Sequence, residues 1–191
     1  MTNLLILFFP NSKLMILKIV PLGEIDQEII DFIENEIKKT FKLTVDSLFP
    51  REIPEEAYNP FRMQYDATKI LIWLRNKFTS KVLGIIEKDI YADNLNFIFG
   101  EAEFNGKIAV VSLARLNPEF YREKFDEKLF KERIVKEVFH ELGHLFGLEH
   151  CKNPKCVMSF SNTILDVDRK SKYFCESCKK KLQEKNVIFR I

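Results

Sequence analysis

The chain holds three histidines and four cysteines, and all seven lie between His140 and Cys178. Nothing before residue 140 can supply an imidazole or a thiolate, so any soft-ligand metal chemistry is confined to one short stretch. That stretch opens His140-Glu141-Leu142-Gly143-His144-Leu145-Phe146-Gly147-Leu148-Glu149-His150. On a helix, residues four apart share a face, so His140 and His144 can hold one ion together. Gly147 admits the positive φ that turns a chain sharply, and the turn brings His150 back as a third ligand. Three imidazoles leave zinc a fourth position for water, with Glu141 placed to take the proton while the ion polarises a carbonyl. The plain alternative is a pair of ordinary histidines on an amphipathic helix. The glycine and third histidine at the required offsets weigh against it.

The surrounding pattern fits a helix. Asp126 can cap it, Gly147 can end it near Phe146, and Ile134, Val135, Val138, Leu142 and Leu145 form one apolar stripe. His140 and His144 fall roughly opposite that stripe, which leaves it free to pack on a sheet while the rings face a cleft.

Directly after His150 come Cys151, Cys156 and then Cys175-Glu176-Ser177-Cys178. Two cysteine pairs at these spacings read as a closed tetrahedral structural zinc site. Two disulfides or a redox Cys-x-x-Cys are the other readings, although Cys175 does not clearly follow a strand as redox motifs do. Met158 lies eight residues beyond His150; on its own it reads equally as a methionine filling a core gap.

Taken together, His-Glu-x-x-His-x-x-Gly-x-x-His-Cys, the following Cys-x-Met and the later Cys-x-x-Cys resemble the archaemetzincins, a family of metzincin-type zinc metallopeptidases. The resemblance implies a twisted sheet over the active-site helix. It implies a catalytic zinc on His140, His144 and His150, Glu141 as general base, and Met158 in a tight turn beneath the zinc. It assigns a second, structural zinc to Cys151, Cys156, Cys175 and Cys178, making two Zn2+ per chain. Some metzincins add a tyrosine ligand after the methionine; this chain has Phe160 there, which cannot ligate. Because His150 and Cys151 are adjacent, with Cα atoms about 3.8 Å apart, the two ions are expected within roughly 13 Å of each other.

Upstream, Leu14 to Val20 reads as a buried strand and Ile25 to Lys39 as a helix. A second strand over Phe41 to Leu48, a proline-marked loop and a helix over Asp66 to Phe78 follow. Strand signals recur at Lys81 to Glu87, Asn96 to Phe104 and Lys107 to Leu113, with Asn105-Gly106 as a hairpin turn. The expected fold is α+β, close to α/β. It is a zincin-like twisted mixed sheet with one antiparallel edge strand, an active-site helix and a small zinc-pinned C-terminal subdomain. Residues 1–147 would form the sheet-and-helix part and 148–191 the irregular, metal-pinned part of one compact domain.

A chain of 191 residues with 46% hydrophobic and 30% charged residues has material for a core and a solvated surface. A net charge of +2 does not argue for nucleic acid or an anionic membrane. No stretch approaches the roughly 20 apolar residues of a membrane helix. Leu4 to Phe9 lacks a basic flank and a cleavage site, so it is a poor signal peptide and reads as an extra strand or a frayed leader; Met15 is the expected natural start. The localisation expected is cytoplasmic, where thiols stay reduced, and the expected state is a monomer. Abundant Lys, Glu and Ile with scarce Gln hint at a heat-loving source, whose cytosol tolerates disulfides.

By the same resemblance, an antiparallel edge strand would hold an extended peptide by strand addition. Asn96, Phe97, Ile98 and Phe99 are the candidates, and an ordinary edge strand is the alternative reading. The leading function is a zinc-dependent peptidase. A catalytically silent two-zinc binding or structural module and a thiol redox or metal sensor are the other classes. Lys179, Lys180 and Lys181 read as a solvated helix face rather than a nucleic-acid patch.

Overall fold

The computed structural model describes residues 15–93 and 95–190. The Leu4 to Phe9 segment and Leu14 lie outside them. The elements in chain order are β1 (Ile16–Leu22), α1 (Gln27–Thr40), β2 (Thr44–Ser47), β3 (Tyr58–Asn59), β4 (Gln64–Asp66), α2 (Ala67–Lys77), β5 (Lys81–Ile86) and β6 (Ile90–Tyr91). They continue with β7 (Gly100–Ala102), β8 (Ile108–Ser112), α3 (Glu127–Leu145), α4 (Ile164–Arg169) and α5 (Glu176–Glu184).

The main sheet runs in the order β2-β1-β5-β8-β7, parallel throughout except for β7, which pairs antiparallel with β8 at one edge. Its inner strands are apolar on both faces because helices cover both. Leu17, Ile19, Leu83, Ile85, Ala109 and Val111 point toward α1 and α3, while Val20, Leu22, Val82, Ile86, Ile108 and Val110 point toward α2. Alternation within continuous apolar runs is what a doubly covered parallel sheet requires. Among the described residues, no helix is long and apolar enough to cross a membrane.

Each main helix begins at an aspartate whose carboxylate takes a backbone N–H: Asp26 for α1, Asp66 for α2 and Asp126 for α3. Such caps satisfy donors that the first turn leaves open, and each contributes about 1 kcal/mol. The core is continuous across Gly147: Phe41 packs edge-on against Phe139, Phe146 and Phe174 with ring centroids 5.5, 5.9 and 6.0 Å apart.

Several sequence expectations need correction. Strand β1 ends at Leu22, so Pro21 lies inside it. The missing N–H costs no ladder bond there, because the register of β2 stops at Ile19–Ser47. Phe41 belongs to the aromatic core rather than to β2. The expected strand over Asn96 to Phe104 shrinks to Gly100–Ala102, with Ile98 contributing only a lone bridge to Ile90. Before Phe99 the backbone bonds outside the main sheet: Ile98 N–H donates to the Ile90 carbonyl at 3.0 Å, and Arg62 Nη2 donates to the carbonyls of Leu95 and Asn96 at 2.8 and 3.0 Å. The proline-marked loop contains part of a second, three-stranded sheet, β3-β4-β6, with Pro50 and Pro54 before it and Pro60 in the turn between β3 and β4, and the segment after Gly147 contains α4 and α5 rather than being irregular.

Candidate metal centres and cleft

Helix α3 is buried on nearly every side. Besides the apolar stripe it buries Arg133, Lys136, Glu137, His140 and Glu141. Its end is a Schellman turn: Gly147 N–H donates to the His144 carbonyl and Leu148 N–H to the Gly143 carbonyl, both at 2.8 Å, with Gly147 at φ 87°. The reversal carries His150 back over the last turn.

The rings of His140, His144 and His150 converge, each offering a nitrogen within 4.8 Å of the others. The Nε2 atoms of His140 and His144 are 3.1 Å apart, close to the about 3.3 Å that two nitrogens on one tetrahedral zinc would show. The other ring nitrogens are engaged. His140 Nδ1 lies 2.8 Å from the Val157 carbonyl and His144 Nδ1 lies 2.7 Å from that of Leu148. As N–H donors there, they present lone pairs inward, the arrangement a metal ligand needs. Burial lowers the pKa of all three: His140 well below its ordinary value, His144 to about 4, and His150 by a direction in which Lys170 assists. All three are then neutral imidazoles at pH 7, the form that can ligate a metal.

Met158 packs against Gly143 of α3. A Cβ at that glycine would sit 2.2 Å from the methionine Sδ. Gly143 therefore accepts the helix penalty of about 1 kcal/mol because no larger residue leaves room for Met158.

Glu141 is buried beside the histidines, against the backbone of β7: a Cβ on Gly100 would lie 2.6 Å from its Cγ and 2.8 Å from its Oε1. Burial, with the nearby Glu137 charge, raises its pKa well above the usual carboxylate value, and Lys170 opposes that. A cation in front of it would oppose it further.

These groups line a cleft of ≈ 300 Å³. Phe97, Ile98 and Phe99 form part of one wall, as does Phe160, whose ring meets His150 edge-on at 5.1 Å. Asn96 is not on the wall; its carbonyl is held by Arg62 and Gln64.

The four cysteines form a second cluster. Sγ–Sγ distances are 3.8 Å for Cys151–Cys175 and for Cys156–Cys178. A disulfide needs about 2.05 Å, whereas two thiolates on one tetrahedral zinc sit about 3.8 Å apart. All four are free thiols, which sets aside the paired disulfides. The donor set and spacing suit a closed zinc site.

Sequence reasoning did not find Glu137 and Lys170. Their buried carboxylate and ammonium meet at 2.8 Å as a coulombic contact rather than an aligned hydrogen bond. Glu137 stands one turn before Glu141, a spacing visible in the sequence. Lys170 comes from beyond α4 and carries no local signal. The tip of the β7–β8 hairpin is also tied to the site, since Asn105 N–H donates to the His144 carbonyl at 2.9 Å.

A central helix turned at its end to close a histidine cluster below an antiparallel edge strand defines the metzincin class of zinc peptidases. The chain belongs to peptidase family M54, whose profile matches residues 1–184. It is 47% identical over 174 residues to archaemetzincin from Methanocaldococcus jannaschii, covering 91% of this chain and 96% of that one. Archaemetzincin from Pyrococcus furiosus is 43% identical over 176 residues, covering 87% and 92%. The crystal structure of archaemetzincin from Methanopyrus kandleri superposes with a TM-score of 0.82 at 40% identity, covering 93% of this chain and 98% of that one. That of archaemetzincin from Archaeoglobus fulgidus, complexed with malonate, gives 0.78 at 40% identity, covering 87% and 99%. The chain is a zinc-dependent peptidase, and its substrates are peptides.

Proposed function

We propose that His140, His144 and His150 hold the catalytic zinc and that Glu141 is the general base. Cys151, Cys156, Cys175 and Cys178 hold a second, structural zinc, and Met158 supports the histidine cluster from below. Zinc at the histidines supplies a Lewis acid for the scissile carbonyl and acidifies the attacking water. Glu141 takes the proton of that water and passes it to the departing amine nitrogen, the two halves of general acid–base catalysis. The observation that carries this reading is the convergence of three neutral imidazoles and one buried carboxylate on a single cleft.

An extended peptide adds to the free edge of β7. Glu101 pairs with Val110, and the Phe99 carbonyl and Glu103 N–H are bonded to β8. By antiparallel alternation, Gly100 and Ala102 turn their N–H and C=O groups away from β8, along the cleft. The binding edge is therefore proposed at Gly100 and Ala102, with Phe97, Ile98 and Phe99 as wall contacts. Four free thiols in a closed cluster suit a reducing compartment, which supports a cytoplasmic setting.

The deciding experiment measures zinc per chain and screens a peptide library with wild type and Glu141→Ala. Two zinc ions in both proteins, with cleavage lost only in the variant, is the expected result. Cleavage retained by Glu141→Ala would remove Glu141 from the mechanism. Two zinc ions without cleavage by wild type would favour a binding module.

A further inference from the structure

The strand that carries the binding edge also carries a carboxylate. Side chains alternate along β7. The Gly100 position faces Glu141 and α3, so Glu101 faces the other side of the sheet. There its two carboxylate oxygens accept from the Thr68 hydroxyl of α2 at 3.1 and 3.2 Å.

Glu101 is half-buried and lines the cleft. The charges that act on it, Asp66 and Asp93, are also acidic, as is Glu141, whose carboxyl feels the charge of Glu101. Among the described residues it forms no ion pair, whereas its neighbour Glu103 on the same hairpin is bound by Arg75 at 2.5 Å. Partial burial and these neighbours raise its pKa. A carboxylate in such surroundings gains from a cation supplied from outside.

The register says where that cation would come from. When an antiparallel peptide bonds to Gly100 and Ala102, the residue between its two bonded positions lies directly opposite Glu101. That pair is the non-hydrogen-bonded kind, with Cα atoms about 4.5 Å apart and both side chains on one face. We infer that Glu101 is a specificity residue, selecting a lysine or arginine at the one substrate position that pairs with it across the free edge of β7. Opposite charges directly across a ladder attract, and like charges repel. A glutamate at that position is accordingly disfavoured.

This inference rests on the strand-addition reading above. The test uses zinc-loaded full-length protein and peptides that differ at one residue, Arg, Met or Glu, moved through the positions flanking the cleaved bond. At one position, kcat/KM should fall from Arg to Met to Glu by about two- to fivefold per step, and the spread should shrink between low and high salt. The near-isosteric Glu101→Gln should flatten the series, and Glu101→Lys should reverse it. An unchanged series in Glu101→Gln, or no Arg preference in wild type, overturns the inference while leaving the peptidase mechanism intact. Should wild type cleave none of the peptides, the mechanism fails separately. Dissociation constants of the same peptides for Glu141→Gln then decide the inference, and equal values for Arg and Glu peptides overturn it.

Discussion

The carbonyl oxygen of Val157 lies 2.8 Å from Nδ1 of His140, and Val157 sits between Cys156 of the thiol cluster and Met158. Cys151 N–H donates to the Met158 carbonyl at 2.8 Å, and Cys175 N–H reaches the Cys156 sulfur at 3.3 Å. The two clusters therefore share a framework in which the cysteines fix the peptide that orients a histidine ring. Changes to such supporting contacts cost 10–100-fold in metal affinity. Cys178→Ala should weaken zinc binding at the histidines by roughly tenfold or more in addition to emptying the cysteine cluster. Chelator-competition titration reads both sites, and an unaltered affinity at the histidines would refute the coupling.

The contact of Glu141 with Gly100 makes a separable prediction. In Gly100→Ala the new methyl would sit 2.6 Å from the Glu141 Cγ and 2.8 Å from the Val110 carbonyl, so the carboxylate must move. General acid–base catalysis contributes about 10²–10⁴-fold. A displaced base should cost on the order of 10–100-fold in kcat, with zinc content unchanged because no proposed ligand is touched. Steady-state kinetics with metal analysis checks this, and full kcat in the variant would show that Glu141 is not held by that contact.

The sequence made some of this legible and hid the rest for physical reasons. Periodicity, an aspartate cap and a glycine stop delimit α3 because those signals are local. The histidine and cysteine clusters were readable because their spacing encodes ligand geometry. The alternation over Asn96 to Phe104 suggests one long strand because it cannot reveal that Ile98 bridges to Ile90 or that Arg62, from a different hairpin, takes the Leu95 and Asn96 carbonyls. Lys170 was invisible because only the path through Met158 and α4 brings it to Glu137. The hydrophobic pattern of α3 also understated its burial, since Arg133 and Lys136 are inside. Arg133 is bonded to Asp168 at 2.8 Å, and Lys136 to the Asp168 carbonyl at 3.2 Å.

Stability of the zinc-free protein should depend on acid in a definite direction. Burial depresses the histidine pKa values from 6.5, that of His144 to about 4. The folded chain thus binds fewer protons than the unfolded chain between those values, and stability rises with pH across the window. The contribution is complete above about pH 6.5 and is lost as pH falls through 4. The melting temperature of chelated protein should be level near neutrality and drop progressively below that window's upper edge. Zinc-loaded protein should begin to drop at lower pH, because the ion competes with protons for the same nitrogens. Glu141, whose pKa is raised, contributes in the opposite sense, so a flat profile for chelated Glu141→Gln protein down to the lower edge would contradict the assignment.

The buried pair Glu137–Lys170 yields the sharpest stability test. Their side chains are 3% and 1% exposed, so each charge depends on the other for compensation. Removing one partner of a buried pair costs about 3–5 kcal/mol, whereas replacing both with apolar groups is near neutral or stabilising. Lys170→Met leaves Glu137 buried without its cationic partner, one turn from Glu141. That single variant should lose several kcal/mol in urea unfolding. The double variant Lys170→Met/Glu137→Leu should recover most of the stability. Its recovery would show that the pair persists for the electrostatics of the cleft rather than for the fold. A double variant as unstable as the sum of its singles would show instead that Lys170 stabilises the fold independently of Glu137.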